Sequence, residues 1–205
     1  MAAQTTRVRL GTGICLVPQR NPVYTAKEIA AVDYLSGGRV DFGVGVGWLE
    51  EEFAALDVPF ERRGARCHEY LEVIKSLWED DVSSYSGEFY TLAPCRQYPK
   101  PIQQPGPPIY FGGESNAALR RVAEMGDGWY GFNATATETR GHLSRLDGFL
   151  EKRGRTRADV EVVICPYGHK LNKGRAAEYE DTGIDELVAM IVGRDLDELE
   201  RWLDR

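Results

Sequence analysis

Histidine, cysteine and methionine are scarce in this 205-residue sequence, at three, four and three residues. The histidines (His68, His142, His169) and the cysteines (Cys15, Cys67, Cys95, Cys165) stand far apart, with no CxxC pair, so no zinc site can be assembled from their spacing. With 42% apolar residues the chain can bury a core without disulfides, and reduced thiols in a cytoplasmic protein are expected. No apolar run approaches the roughly 20 residues of a membrane span, and Met1 to Leu10 lacks the apolar stretch of a signal peptide. Positive charge is in deficit: 25 Lys and Arg against 32 Asp and Glu leave a formal net charge of −7. Without a basic stripe to neutralise phosphates, duplex nucleic acid is not an expected partner. A small anionic ligand stays open, because backbone N–H groups can hold one. No Ser-His-Asp arrangement and no pair of carboxylates suggests itself, so no catalytic residue is assigned.

What is present is an alternation. Short runs rich in valine, isoleucine or glycine, at Val8–Gly11, Val40–Val46, Ile109–Gly112, Gly128–Phe132, Val160–Ile164 and Leu187–Val192, read as strands. Between several of them lie segments with helical spacing: Ala26, Ile29, Ala30, Val32, Asp33 and Leu35, then Tyr70, Val73, Ile74, Leu77 and Trp78. Ala117–Met125, Thr137–Lys152 and Leu196–Leu203 complete the helical set. Alternating strands and helices imply an α/β fold with parallel strands and right-handed crossovers. Six strand–helix units can be counted, and Met1–Arg7 reads as the tail of a helix entering the first strand. A complete (β/α)8 barrel takes about 250 residues. The expectation is therefore one domain over residues 1–205, a barrel incomplete at its N-terminus by about two units. An insertion at about 83–108 breaks the rhythm. It pairs a short hairpin, Tyr85–Tyr90, with Pro99, Pro101, Pro105, Pro107 and Pro108, a density that no helix or central strand tolerates. It is either a surface connection or a lid.

Three glycine-rich places coincide with strand ends. In Leu10-Gly11-Thr12-Gly13-Ile14-Cys15, glycine lets a flat ring lie against the main chain. In Gly43-Val44-Gly45-Val46-Gly47-Trp48, alternation puts the glycines on one face, leaving room inside a tight barrel or beside a planar ligand. In Ile109-Tyr110-Phe111-Gly112-Gly113-Glu114-Ser115-Asn116, Ser115 or Asn116 should cap a helix, whose N-terminal N–H groups could hold an anion if Glu114 turns outward. The Arg62, Arg63 and Arg66 cluster could reach an anionic tail, although a solvated helix end is the plainer reading, and His68 beside it reads as a surface residue. Trp48 and Trp129 each follow glycine at a strand's C-terminal end, where barrel sites lie.

Several of these motifs, in order, resemble the bacterial luciferase-like superfamily, and most closely its F420-dependent oxidoreductase branch. The likeness is carried by Asn21-Pro22-Val23-Tyr24-Thr25, Leu35-Ser36-Gly37-Gly38-Arg39-Val40, Gly43–Trp48, Tyr85–Tyr90, Tyr98-Pro99-Lys100-Pro101, Pro108–Ser115 and Ala117–Trp129. The resemblance implies a TIM-like barrel holding coenzyme F420, or alternatively FMN, at the strand C-termini. It implies a non-prolyl cis peptide at Gly13–Ile14 supporting the ring, with Gly45, Val46, Gly47 and Trp48 lining it. It also places the cofactor phosphate at Gly112, Gly113 and Ser115. The implied activity is hydride transfer to or from a small organic substrate, in a homodimer; the alternatives are an FMN-dependent monooxygenase and a shortened flavin-binding protein without turnover. Relatives draw a catalytic histidine or acid from the first two strands, which this sequence lacks.

Overall fold

Valine, isoleucine and glycine do form parallel strands in the computed structural model, which describes residues 1–191. Two units are distinguished, Met1–Gly112 and the part from Gly113 onward. The first runs β1 (Leu10–Gly11), β2 (Cys15–Leu16), α1 (Pro22–Ser36), β3 (Val40–Gly45), α2 (Glu50–Ala55), α3 (Arg63–Glu79), β4 (Ser83–Ser86), β5 (Thr91–Cys95) and β6 (Ile109–Gly112). Both β1 and β2 pair in parallel with β3, and β3 pairs in parallel with β6. Consecutive residues Phe42 to Gly45 of β3 and Ile109 to Phe111 of β6 are buried, as strands covered on both faces should be. The ring of Trp78 meets Phe42 edge-on, with centroids 5.9 Å apart, and its Nε1–H donates to the Ala26 carbonyl at 2.9 Å.

Local chemistry sets the ends of α1. The Asn21 side chain accepts from the N–H groups of Val23 and Tyr24, Pro22 occupies the first turn, and Gly37 closes the helix in the left-handed region at φ 74°. Its buried face differs from the apolar rhythm read in the sequence. Thr25, Ala26, Ala30, Asp33 and Ser36 point inward, while Leu35 is 74% exposed. Asp33 belongs to both the rhythm and the buried face. Fully buried, it accepts hydrogen bonds from the Ile102 N–H (2.8 Å), the Gln103 N–H (3.0 Å) and Gln103 Nε2 (2.8 Å). Three donors satisfy a carboxylate that burial alone would penalise, and they fasten the proline-rich segment to α1.

Glu69 of α3 does the same for the hairpin. The N–H groups of Glu88, Phe89 and Tyr90 donate to its carboxylate at 2.9, 2.7 and 2.5 Å. The hairpin strands are antiparallel and reach further than Tyr85–Tyr90, since Ser83 pairs with Cys95 across an irregular register. Met1–Arg7 is not the end of a helix. It forms a turn, held by the Arg39 guanidinium, which donates to the carbonyls of Ala2, Thr5 and Val8.

The second unit contains α4 (Asn116–Met125), β7 (Gly128–Phe132), α5 (Ala136–Glu151), β8 (Glu161–Cys165), α6 (Lys173–Glu180) and β9 (Glu186–Leu187). The strands β7, β8 and β9 pair in parallel in that order. Ala118, Leu119, Val122 and Ala123 form the buried stripe of α4. A capping box, Thr135 with Glu138, opens α5. The polar helices α2 and α6 have no counterpart in the sequence reading. The helix expected at Leu196–Leu203 and the last residue of the strand expected at Leu187–Val192 lie outside the described residues. Among the described residues no helix is long and apolar enough to cross a membrane.

Candidate functional site

A bulge separates β1 from β2. Leu10 and Gly11 pair with Val40 and Asp41, and Cys15 and Leu16 with Val44 and Gly45. Thr12, Gly13 and Ile14 therefore stand opposite only Phe42 and Gly43, one residue too many for a regular ladder. The Gly13–Ile14 peptide is cis, at the bond the resemblance singles out. The bulge is tied down by the Thr12 N–H, which donates to the Asp41 carbonyl at 3.2 Å, and by the Thr12 hydroxyl, which donates to the Gly43 carbonyl at 2.7 Å.

The glycines around it have a sharper purpose than the sequence suggested. A Cβ on Gly43 would lie 1.9 Å from the Thr12 carbonyl oxygen. One on Gly45 would lie 2.1 Å from Ile14 Cδ1, and one on Gly112 would lie 2.7 Å from the same atom. The glycine face thus accepts the bulge and the Ile14 side chain instead of leaving an open slot against the strand. Gly47 turns the chain at φ +77°, where a Cβ would meet the Phe53 ring at 2.7 Å. Its carbonyl accepts from Arg63 Nε at 2.9 Å. Val46 before this turn is half-buried, and Trp48 after it is 81% exposed.

Beside the bulge lies a cavity of about 530 Å³, lined by Thr12, Ile14, Cys15, Leu16, Arg20 and Glu28 among others. Arg20 and Glu28 pair at 2.5 Å. Burial pushes the Cys15 thiol up, with the nearby Arg20 charge pulling in the other direction. The neighbouring arginines are engaged within the fold. Arg62 pairs with Glu88 and lies over the Phe89 ring, and Arg66 donates to the carbonyls of Pro59 and Glu61. Arg62 thus ties the start of α3 to the hairpin while remaining largely exposed, as a solvated helix end would be, whereas Arg66 is buried. His68 stands half-exposed, 3.4 Å from Glu72.

In the second unit Ser115 is the N-cap of α4, its hydroxyl accepting from the Ala118 N–H at 3.1 Å. The Glu114 carboxylate turns away from the helix and accepts from the Phe132 N–H at 2.8 Å. Trp129 is fully buried, its Nε1–H bonded to the Gly113 carbonyl at 3.0 Å, so it supports the turn. Arg145 of α5 donates to the Glu114 carbonyl (2.9 Å) and to Asn116 Oδ1 (2.7 Å), and it touches His142. Burial, and then the Arg145 charge, lower the His142 pKa. A guanidinium thus stands at the helix N-terminus and adds to its positive end. Sequence reasoning missed Arg145, because one arginine on an amphipathic helix carries no local signal.

The family model described as luciferase-like monooxygenase matches residues 1–169. An uncharacterized protein of Mycobacterium tuberculosis is 38% identical over 128 residues, which are 62% of this chain and 45% of that protein. The FMNH(2)-dependent dimethylsulfone monooxygenase of Pseudomonas putida is 35% identical over 157 residues, 75% of this chain and 39% of the enzyme. The chain spans about half the length of the curated relatives it matches. The coenzyme F420-dependent tetrahydromethanopterin reductase from Methanopyrus kandleri, a solved structure, aligns with a TM-score of 0.80 at 17% identity, covering 97% of this chain and 82% of that one. Likeness of that kind shows the fold, the luciferase-type α/β barrel, of which the chain carries a part.

Proposed function

Because the chain belongs to the luciferase-like monooxygenase family, we propose that its first unit seats the ring of coenzyme F420 on the Thr12–Ile14 bulge, in an oxidoreductase acting on a small organic substrate. The observation that carries this reading is the buttressed bulge. Gly43, Gly45 and Gly112 each give up the volume of a Cβ to the same three-residue segment, an expensive arrangement for a strand that merely completes a sheet. A rigid backbone platform at the C-terminal end of a parallel strand fits a flat, tricyclic ring. When bound, the deazaflavin supplies the hydride carrier, and the protein supplies orientation and exclusion of water.

The chain's own residues have distinct tasks in this reading. Gly13 and Ile14 support the ring, and Gly45 gives up its side-chain volume behind Ile14. Val46, Gly47 and Trp48 continue from β3 past that support. Gly112, Gly113 and Ser115, with the first turn of α4 and Arg145, offer N–H and guanidinium donors for a phosphate. The homodimer that the resemblance implies belongs to the same proposal.

A second reading, with FMN in place of F420, is favoured by the 35% identity to the FMNH(2)-dependent monooxygenase. Fluorescence titration of the purified protein with each cofactor separates the two. Saturable F420 binding at micromolar concentrations, with far weaker FMN binding, is the expected result. The reverse order selects the FMN reading, and saturation by neither overturns both.

A further inference from the structure

We propose that Phe132 and Tyr167 form a shelf that stacks a planar aromatic ring, neutral or cationic, of a small-molecule ligand. The proposal rests on the oxidoreductase reading for one point only, that this ligand is the substrate.

Phe132 is the last residue of β7, and its register partner in β8 is Cys165, two residues before Tyr167. The two rings lie 4.8 Å apart between centroids, tilted by 34°, yet remain 46% and 54% exposed. Aromatic pairs ordinarily gain by burying their faces. Here the backbone holds the rings out. Asn133 and Tyr167 adopt φ values of 54° and 43°, in the left-handed region that residues with side chains seldom occupy.

Three hydrogen bonds fix that conformation. The Asn133 N–H donates to the Cys165 carbonyl at 2.8 Å, the Gly168 N–H to Asn133 Oδ1 at 3.0 Å, and the His169 N–H to the Pro166 carbonyl at 3.0 Å. The pair is therefore built on a rigid base at the C-terminal ends of two adjacent parallel strands, where α/β proteins take their ligands. Its charge environment narrows the ligand class. The Glu114 carboxylate accepts from the Phe132 N–H at 2.8 Å and places negative charge at the foot of the shelf, which disfavours an anionic ring.

The test uses saturation-transfer NMR on the full chain with four probes: quinoline, N-methylquinolinium, 1-naphthoate and cyclohexanol. Quinoline and N-methylquinolinium should bind, the anion and the saturated ring much more weakly. Phe132→Ala and Tyr167→Ala should each weaken quinoline about fivefold, Tyr167→Phe should restore it, and Tyr98→Ala, at an exposed tyrosine elsewhere, should change nothing. If Phe132→Ala fails to fold, Tyr167→Ala decides, because that side chain lies beyond the strand. Unchanged quinoline binding in Tyr167→Ala overturns the proposal. So does sedimentation showing that the shelf is covered by a second copy that Tyr167→Ala releases. Flavin and F420 titrations of the same variants read the parent proposal separately. Lost quinoline with retained cofactor supports the shelf, and retained quinoline in both alanine variants overturns it whatever the cofactor does.

Discussion

Gly43 and Gly45 look alike in the sequence and differ in what they exclude. A Cβ at Gly43 would run into backbone, the Thr12 carbonyl oxygen at 1.9 Å, whereas a Cβ at Gly45 would meet the far end of the Ile14 side chain. Gly43→Ala must dismantle the bulge and should cost about 3 kcal/mol. Gly45→Ala needs only a new Ile14 rotamer, at about 1 kcal/mol. Urea unfolding of both variants checks the order, and equal costs would refute this account of the glycine face. The alternation of glycines was readable in the sequence, and so was the position of the Gly13–Ile14 bond. What fills the space was not, because Thr12 and Ile14 lie some thirty residues from the glycines they press upon. Trp48 and Trp129 make the same point: both follow glycine, yet Trp48 stands exposed past the end of β3, whereas Trp129 is the second residue of β7, not at its C-terminal end, and is core.

At the scale of elements, two buried carboxylates organise segments that sequence periodicity describes poorly. The spacing of α1 includes Asp33 but does not show what buries it, because the Ile102 and Gln103 donors come from about seventy positions away. Asp33→Ala leaves those donors unpaired and should cost about 3 kcal/mol. Limited proteolysis should then cut within residues 99–106, and a cleavage pattern identical to that of the wild type would contradict the anchoring role. The capping box of α5 gives a pH signature. The Thr135 N–H and hydroxyl hold the Glu138 carboxyl below the ordinary glutamate value. A carboxyl lowered in the fold contributes stability above its unfolded pKa, and that contribution disappears as pH falls through the folded one. The wild type should therefore melt above Glu138→Gln at neutral pH, with the gap closing on acidification; a gap independent of pH would exclude this linkage. The strands β1, β3, β6, β7 and β8 and the helices α3, α4 and α5 were legible from their apolar runs and spacing, whereas β2 and β5 were not read and β9 meets the expected strand at Leu187 alone. The helices α2 and α6 were not, because Glu50-Glu51-Glu52 and Lys173–Glu180 offer too little apolar surface to set a period.

For the whole molecule, alternation of strand and helix was enough to place the chain in an α/β class, and several motifs in family order were enough to narrow that class to the luciferase type. Neither could separate F420 from FMN, since the residues that support a ring say little about which tricycle it is. Binding to the folded state alone should stabilise it by about 2.7 kcal/mol at a hundred times Kd, so thermal unfolding offers a second readout of cofactor choice. The central claim is that the bulge seats the ring. It is tested most directly by titrating wild type and Gly43→Ala in parallel with F420 and with FMN, following cofactor fluorescence. The account predicts saturable binding of one cofactor by the wild type and at least about tenfold weaker binding by folded Gly43→Ala, a loss of roughly 1.4 kcal/mol. Equal affinity in the two proteins, or no saturable binding by either, would contradict it.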